Sequence, residues 1–177
     1  MLKLLQITSG FVIDENNQVK KLKQNPKLNE LEELIEELGE QQAIIWCNFK
    51  QEISDVSELL KEKACFLHGV INMDDRQQSI LDFKNGTKQF LVANPASAGH
   101  GLTFVNCSTE IFYSLDFSFE KYEQARGRIH RIGQKNNCLY IHLIGEDTLD
   151  NHILDVVKKK KAMDESLKDF ILNYKSN

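Results

Sequence analysis

After Pro26 the apolar positions Leu28, Leu31, Leu34, Ile35 and Leu38 recur at helical spacing with glutamates between them, and Gly39 stands where such a helix would stop. The spacing predicts an amphipathic helix with an acidic outer face. From Gln42 onward the pattern changes to short, unbroken apolar runs: AIIWC (43–47), ACFLH (64–68) and QFLVA (89–93). Helical stretches of ten or more residues separate them, and EIFYSL (110–115) and CLYIHLI (138–144) extend the series. Strands that are apolar throughout, rather than alternating, are buried on both faces. With helices between them they predict an α/β fold, a central parallel sheet covered on each side.

The flanks read differently. Leu2, Leu4, Leu5 and Ile7 predict a short helix or extended arm, followed by strand-like pieces at Phe11–Ile13 and Val19–Leu22 around a DENN turn. At the other end a helix is expected from about Thr148 to Asn173, interrupted at Lys158–Lys161.

Composition narrows the class. At 177 residues, 41% hydrophobic and 27% charged, the chain is of ordinary globular make-up and long enough for one substantial core. A formal charge of −4 argues against a protein that coats nucleic acid through net charge, so any DNA contact has to be a local patch. The N-terminal MLKLLQITSG has neither an apolar signal core nor a cleavage site, which predicts an intracellular protein without membrane attachment. Cys47, Cys65, Cys107 and Cys138 form no CxxC pair and no zinc-spaced cluster with the five scattered histidines. They are expected to be reduced core residues, with no metal site.

In parallel α/β sheets ligands bind beyond the carboxyl ends of the strands. The loops there carry Asn48, Phe49 and Lys50; His68 and Gly69; NPASAGHGLTF (94–104); and Asp116 to Ser118. Glycine in the third of these allows close backbone approach to an anion, although a plain turn has the same composition. Within QARGRIHRIGQ (124–134), Gln124, Arg128 and Arg131 fall at i, i+4 and i+7. On a helix that spacing makes one stripe, with Arg126 and His130 pointing elsewhere. Two guanidiniums on one face suit a polyphosphate or an acidic surface, although by spacing alone an ordinary solvated basic face is the commoner reading. Arg76 reads either as a surface residue or as a contact to DNA or a neighbouring lobe. Trp46 reads as core, and Lys158–Lys161 as a solvated face.

The order of these segments resembles the second RecA-like lobe of superfamily 2 helicases, specifically the Snf2 family of ATP-dependent DNA translocases. AIIWCNFKQEI resembles motif IV, HGVINMDDRQQSILDFKNG the HG…R…F segment, LVANPASAGHGLTF motif V and YEQARGRIHRIGQK motif VI. LLQITSGFV is similar to the segment leading into the lobe. The RIGQ ending is specific, and SAGHGL is similar to compact phage and bacterial versions. Many eukaryotic relatives carry Ser-Thr-Arg-Ala-Gly-Gly in motif V, where this chain has Ser97 in a shorter loop.

The resemblance implies a RecA-like three-layer domain with a mainly parallel central sheet. Residues 1–24 would be an arm from the inter-lobe connection, 25–147 the lobe, and 148–177 a C-terminal helix packed on it. It implies that Arg128 and Arg131 reach ATP phosphates across a cleft, Arg131 as the arginine finger, with Gln124 and Gly101 near the same nucleotide. Asn48, Phe49, Lys50, Ser97, Ala98 and Gly99 would contact the backbone of double-stranded DNA.

ATP with Mg2+ would be held mainly by an N-terminal helicase lobe, in the same full-length chain or a separate subunit, because neither GxxxxGK[ST] nor a DExH box occurs here. On this reading the chain alone lacks ATPase activity, and Arg128 and Arg131 stand exposed and unpaired. The implied location is the cytoplasm of a bacterium or phage-infected cell, or the nucleus of a eukaryote. Two other readings stay open: a non-catalytic DNA- or protein-interaction module derived from such a lobe, and an unrelated α/β nucleotide-binding enzyme. The absence of GxGxxG after the first strand weighs against the second of these.

Overall fold

The computed structural model describes residues 1–69, 71–97 and 101–175, with side chains at all of these except 165 and 168–175. In chain order the elements are α1 (Leu2–Thr8), β1 (Phe11–Ile13), β2 (Val19–Lys21), α2 (Pro26–Leu38), β3 (Ala43–Trp46), α3 (Lys50–Leu60) and β4 (Ala64–Leu67). They continue with α4 (Met73–Lys84), β5 (Phe90–Ala93), β6 (Thr109–Phe112), α5 (Phe119–Arg126), β7 (Leu139–His142) and α6 (Leu149–Lys175). Strands β3 to β7 form one sheet in the order β4-β5-β3-β6-β7, every pairing parallel. β1 and β2 form a separate antiparallel hairpin.

The apolar runs divide their residues between two cores, as period 2 requires. Ile44, Trp46, Leu91, Ala93 and Phe112 face Phe83 of α4, Ala125 of α5, and Ile153 and Val157 of α6. Ala43, Ile45, Phe90, Val92 and Ile111 face Leu31 and Leu38 of α2, and Ile53, Val56 and Leu60 of α3. The result is a three-layer α/β domain. Burying both faces is what makes these strands read as unbroken hydrophobic runs.

Local chemistry sets the element ends. Pro26 opens α2, whose cap Asn25 accepts from Leu28 N at 3.3 Å through Oδ1. The same Asn25 side chain lies against Gly10, where φ is +82° and a Cβ would overlap it, so glycine is required on both counts.

The N-terminal residues are tied to the lobe by polar contacts. Ser9 Oγ donates to Glu52 Oε1 at 2.6 Å, and Thr8 Oγ1 to Asp150 Oδ1 at 3.3 Å. One expectation at the C-terminal end is overturned. α6 runs through Lys158–Lys161 without a break, since lysine is a good helix former and its long stem can keep the ammonium in water.

Candidate functional site

The loops beyond β3, β5 and β6 are joined by one polar network. Asn94 Nδ2 donates to Cys47 O at 3.1 Å and Asn48 O at 3.0 Å, while Asn94 N donates to Leu67 O at 3.1 Å, so one asparagine links the ends of β3, β4 and β5. Asn48 Nδ2 in turn donates to Ser114 O at 2.9 Å, and Ser114 Oγ to Glu52 Oε2 at 2.7 Å. Glu52 also accepts the amides of Asn48 and Phe49, at 2.8 and 3.0 Å. Burial raises the Glu52 pKa, against the opposing hydrogen bonds from Ser9, Phe49 and Ser114.

This network changes the meaning of the expected DNA residues. The amides of Asn48 and Phe49, which a phosphate could have used, already donate to a carboxyl group of their own chain. Phe49 packs edge-on against Phe11, ring centroids 5.5 Å apart. Lys50 is exposed at the start of α3. Ser97 N donates to Asn94 O at 3.0 Å, and Ser97 O accepts from Arg76 Nη1 at 2.8 Å. Arg76 therefore holds the end of the 94–97 loop, a role its charge alone did not specify. Ala98 and Gly99 lie outside the described residues.

The arginine segment departs from the expected helical stripe. α5 ends at Arg126, Gly127 follows as its cap, and the chain turns, so Gln124, Arg128 and Arg131 do not share one helix face. The turn puts Ile129 fully into the core beside Phe104 and Cys107. Gln134 Nε2 stabilises it by donating to Cys107 O at 2.7 Å and Ile129 O at 3.3 Å.

Arg128 is 3% exposed, which overturns its expected exposure. Its carbonyl accepts from Phe104 N at 2.9 Å and its Nη1 donates to Leu102 O at 3.2 Å, so the segment after Gly101 is fastened to it. Burial, and then the neighbouring Arg131 charge, lower its pKa, with Glu110 opposing.

Arg131 matches the expectation of exposure, though its Nε donates to Gly127 O at 2.8 Å. With Thr103, Gly127, His130 and Ile132 it lines an open groove of about 620 Å³ that has no carboxylate in its lining. Such a groove suits an anion and lacks the carboxylates that hold magnesium. Gly101, at φ +91°, directly precedes Leu102. The fold thus brings Gly101, Arg128 and Arg131 together. Gln124 instead donates to Glu120 Oε1 at 3.0 Å along α5.

Arg126, within this segment, and Glu110, on β6, had no functional signal in the pattern of the chain. Arg126 lies 4.5 Å from the Tyr140 ring centroid and 5.6 Å from that of Tyr122, and its Nη1 meets Glu123 Oε1 at 2.6 Å. Glu110 sits on β6 with no exposed surface, and burial pushes its carboxyl well above the usual range against the pull of Trp46, Arg126 and Arg128. Its position within an apolar run concealed it, since a strand pattern reads a single glutamate as an outward residue.

The four cysteines are free. Burial raises the Cys47 thiol pKa and lifts those of Cys65 and Cys107 to about 12, as expected for inert core thiols. Among the described residues no three His, Cys, Asp or Glu side chains are grouped to hold a metal ion, and no helix is long and apolar enough to cross a membrane.

Residues 26–133 match the family model described as the helicase conserved C-terminal domain. Putative protein p41 of Acyrthosiphon pisum secondary endosymbiont phage 1 is 30% identical over 172 residues, covering 94% of this chain and 36% of that protein. The chromatin-remodeling ATPase INO80 of Neurospora crassa is 29% identical over 143 residues, 77% of this chain and 7% of its own length. The chain therefore spans about a third of the phage protein and a small part of the fungal one.

In three dimensions it is similar to the C-terminal part of the Fun30 ATPase domain, with a TM-score of 0.68 at 22% identity, over 76% of this chain and 46% of that one. That likeness establishes the RecA-like fold. Together with the order of motifs IV, V and VI, these matches show that the chain belongs to the helicase C-terminal domain family, as a RecA-like lobe of the Snf2 type.

Proposed function

We propose that the chain is the second motor lobe of an ATP-dependent DNA translocase. It would present Arg131 to the phosphates of ATP that an N-terminal lobe holds with Mg2+. Residues 1–24 act as the arm from that lobe, 25–147 as the motor lobe and 148–177 as a helix bracing it. The observation that carries this reading is the exposed Arg131 guanidinium in a groove without carboxylates, beside the Leu102–Phe104 segment that buried Arg128 holds.

Phosphoryl transfer needs positive charge placed in advance against a loose transition state, and a preorganised arginine delivers it without reorganisation. Arg128 stands behind Arg131 and orders the Gly101–Phe104 segment along the nucleotide. Gln124 would turn from Glu120 to the nucleotide only on lobe closure. Magnesium falls to the other lobe, since the groove lining offers it no carboxylate.

On the DNA side Lys50 and the Ser97 hydroxyl carry the contact to a phosphate backbone. Asn48 and Phe49 shape the α3 entrance, and Ala98 and Gly99 complete the motif V contact. Such contacts ignore sequence and weaken with salt.

The test is ATP turnover by this chain combined with a Snf2-type N-terminal lobe, with and without double-stranded DNA. The expected result is DNA-stimulated hydrolysis that neither part shows alone, reduced roughly 10³-fold or more by Arg131→Ala. Salt-sensitive DNA binding with no turnover in any combination would replace this reading with that of a non-catalytic DNA-docking module.

A further inference from the structure

We propose that Glu110 is a positioning residue for the arginine segment, its buried carboxyl group anchoring Arg126 and Arg128 over the sheet and so fixing where Arg131 emerges. The inference rests on the proposed motor function only for the use to which Arg131 is put.

Glu110 occupies the second position of β6, between β3 and β7 in the middle of a sheet covered on both faces. An apolar β-branched residue is the default there, and a carboxyl group without exposed surface is a departure from it that functional sites tend to harbour. Neither carboxyl oxygen has a hydrogen-bond partner among the described residues. The indole Nε1 of Trp46 and the Nε of Arg126 are likewise buried without one. The Glu110 carboxyl group, the Trp46 indole and the Arg126 Nε are thus buried polar groups without a hydrogen bond, two donors and one acceptor.

The parallel register explains why they converge. Tyr140 is the partner of Glu110 across β6 and β7, so both side chains leave the sheet on the same face. The Tyr140 ring carries the Arg126 guanidinium at 4.5 Å, and Tyr140 Oη donates to Arg126 O at 3.4 Å. Arg126 therefore sits over the strand neighbour of Glu110, and both Arg126 and Arg128 act on its carboxyl group electrostatically. The other titratable groups that face it are Tyr122 from α5, Tyr140 from β7 and Cys107 from the loop before β6.

Desolvation works against the carboxylate and the two guanidiniums work for it. Displacing the guanidiniums would leave the buried carboxyl group without the charges that favour its ionised form. Arg128 in turn holds Leu102 and Phe104, so an anchor under Arg126 and Arg128 acts on the whole lining of the Arg131 groove.

The test compares Glu110→Gln, Glu110→Val and Glu110→Asp in the full chain. Thermal unfolding is read beside hydrogen exchange of the arginine Nε–H groups by NMR, with Arg76 as internal reference. Glu110→Val should unfold at or above the wild-type temperature, since an apolar side chain suits the site. Exchange at Arg126 and Arg128 should still quicken about ten-fold or more in the Val and Gln variants, with Asp restoring part of the protection. In the two-lobe ATPase the same two variants should lower kcat about ten-fold with little change in KM for ATP.

Unchanged arginine exchange in Glu110→Gln and Glu110→Val overturns the proposal, as does unfolding of both, which would make Glu110 a requirement of the fold. Loss of protection in the variants, where the wild-type protein itself shows no two-lobe turnover, would leave the anchor standing and remove the motor function instead.

Discussion

Lys27 Nζ meets Asp150 Oδ2 at 2.6 Å, with 5% and 3% of the two side chains exposed, and so locks the start of α2 to the start of α6. Lys27 also donates to Tyr113 O at 3.4 Å, and Asp150 accepts from Gly145 N at 3.0 Å and Thr8 Oγ1 at 3.3 Å. One buried ion pair thus joins the amino end of the lobe, the end of β6 and the C-terminal helix.

Removing one partner leaves the other charge buried. Lys27→Met or Asp150→Leu should lower stability by about 3–5 kcal/mol, while the double variant should recover most of the loss. Urea unfolding of the four proteins measures this, and a double variant as unstable as the worse single one would show that the pair is not what holds these elements.

The two arginines of the groove should separate cleanly. Arg131→Ala is expected to change stability by no more than about 0.5 kcal/mol, because the side chain is exposed. Arg128→Ala should cost about 1–3 kcal/mol, since its hydrogen bond to Leu102 O and its buried stem are lost together. Equal unfolding midpoints for the two variants would contradict the burial of Arg128.

Glu52 accepts from Ser9 Oγ, Asn48 N, Phe49 N and Ser114 Oγ. Glu52→Ala orphans these donors and should cost about 3 kcal/mol or more. Because Ser9 belongs to the N-terminal arm, limited trypsin digestion should cut at Lys20, Lys21 or Lys23 faster in the variant than in wild type. Equal cutting rates would mean that the arm is held by its other contacts.

His142 gives the stability a pH signature. Its Nε2 lies 3.0 Å from Tyr122 Oη, its ring stacks on Phe112, and burial, with Lys158 and Arg126, lowers its pKa to about 4. The unfolded chain, with a histidine near 6.5, binds the proton first. The stabilisation is therefore complete above pH 6.5 and is lost as pH falls towards 4. After discounting for the ring's partial exposure it amounts to about 2 kcal/mol.

Glu52 and Glu110 act in the opposite sense. Burial raises both pKa values, so above about 4.5 the native state binds more protons and their contribution falls as pH rises. The informative quantity is the difference between wild type and His142→Phe. Wild type should lose ground to the variant between pH 6.5 and 4, and a constant difference across that range would refute the assignment.

Much of the lobe was legible because its signals are local. The strands were visible as apolar runs, α2 from its helical spacing, Pro26 and Gly39, and Cys47, Cys65, Cys107 and Trp46 as core, with Cys138 only half-buried, since period and turn chemistry depend on near neighbours. Motif VI was equally legible as a string of residue types. Its geometry was not, because Gly127 and the burial of Ile129 bend the chain out of the helix that i, i+4, i+7 spacing had suggested.

By itself the sequence determined the α/β class, the succession of strands and helices, and membership in the helicase family, all of which follow from patterns a few residues long. Tertiary structure alone decided that Arg131 is exposed while Arg128 is buried, that Glu52 accepts from Ser9 and Ser114, and that Glu110 is buried on β6 beside Tyr140. Each depends on parallel register or on contacts between residues distant in the chain, such as Ser9 with Glu52, 43 positions apart, and Arg128 with Leu102, 26 apart, and no local pattern encodes which distant group will desolvate or neutralise a charge.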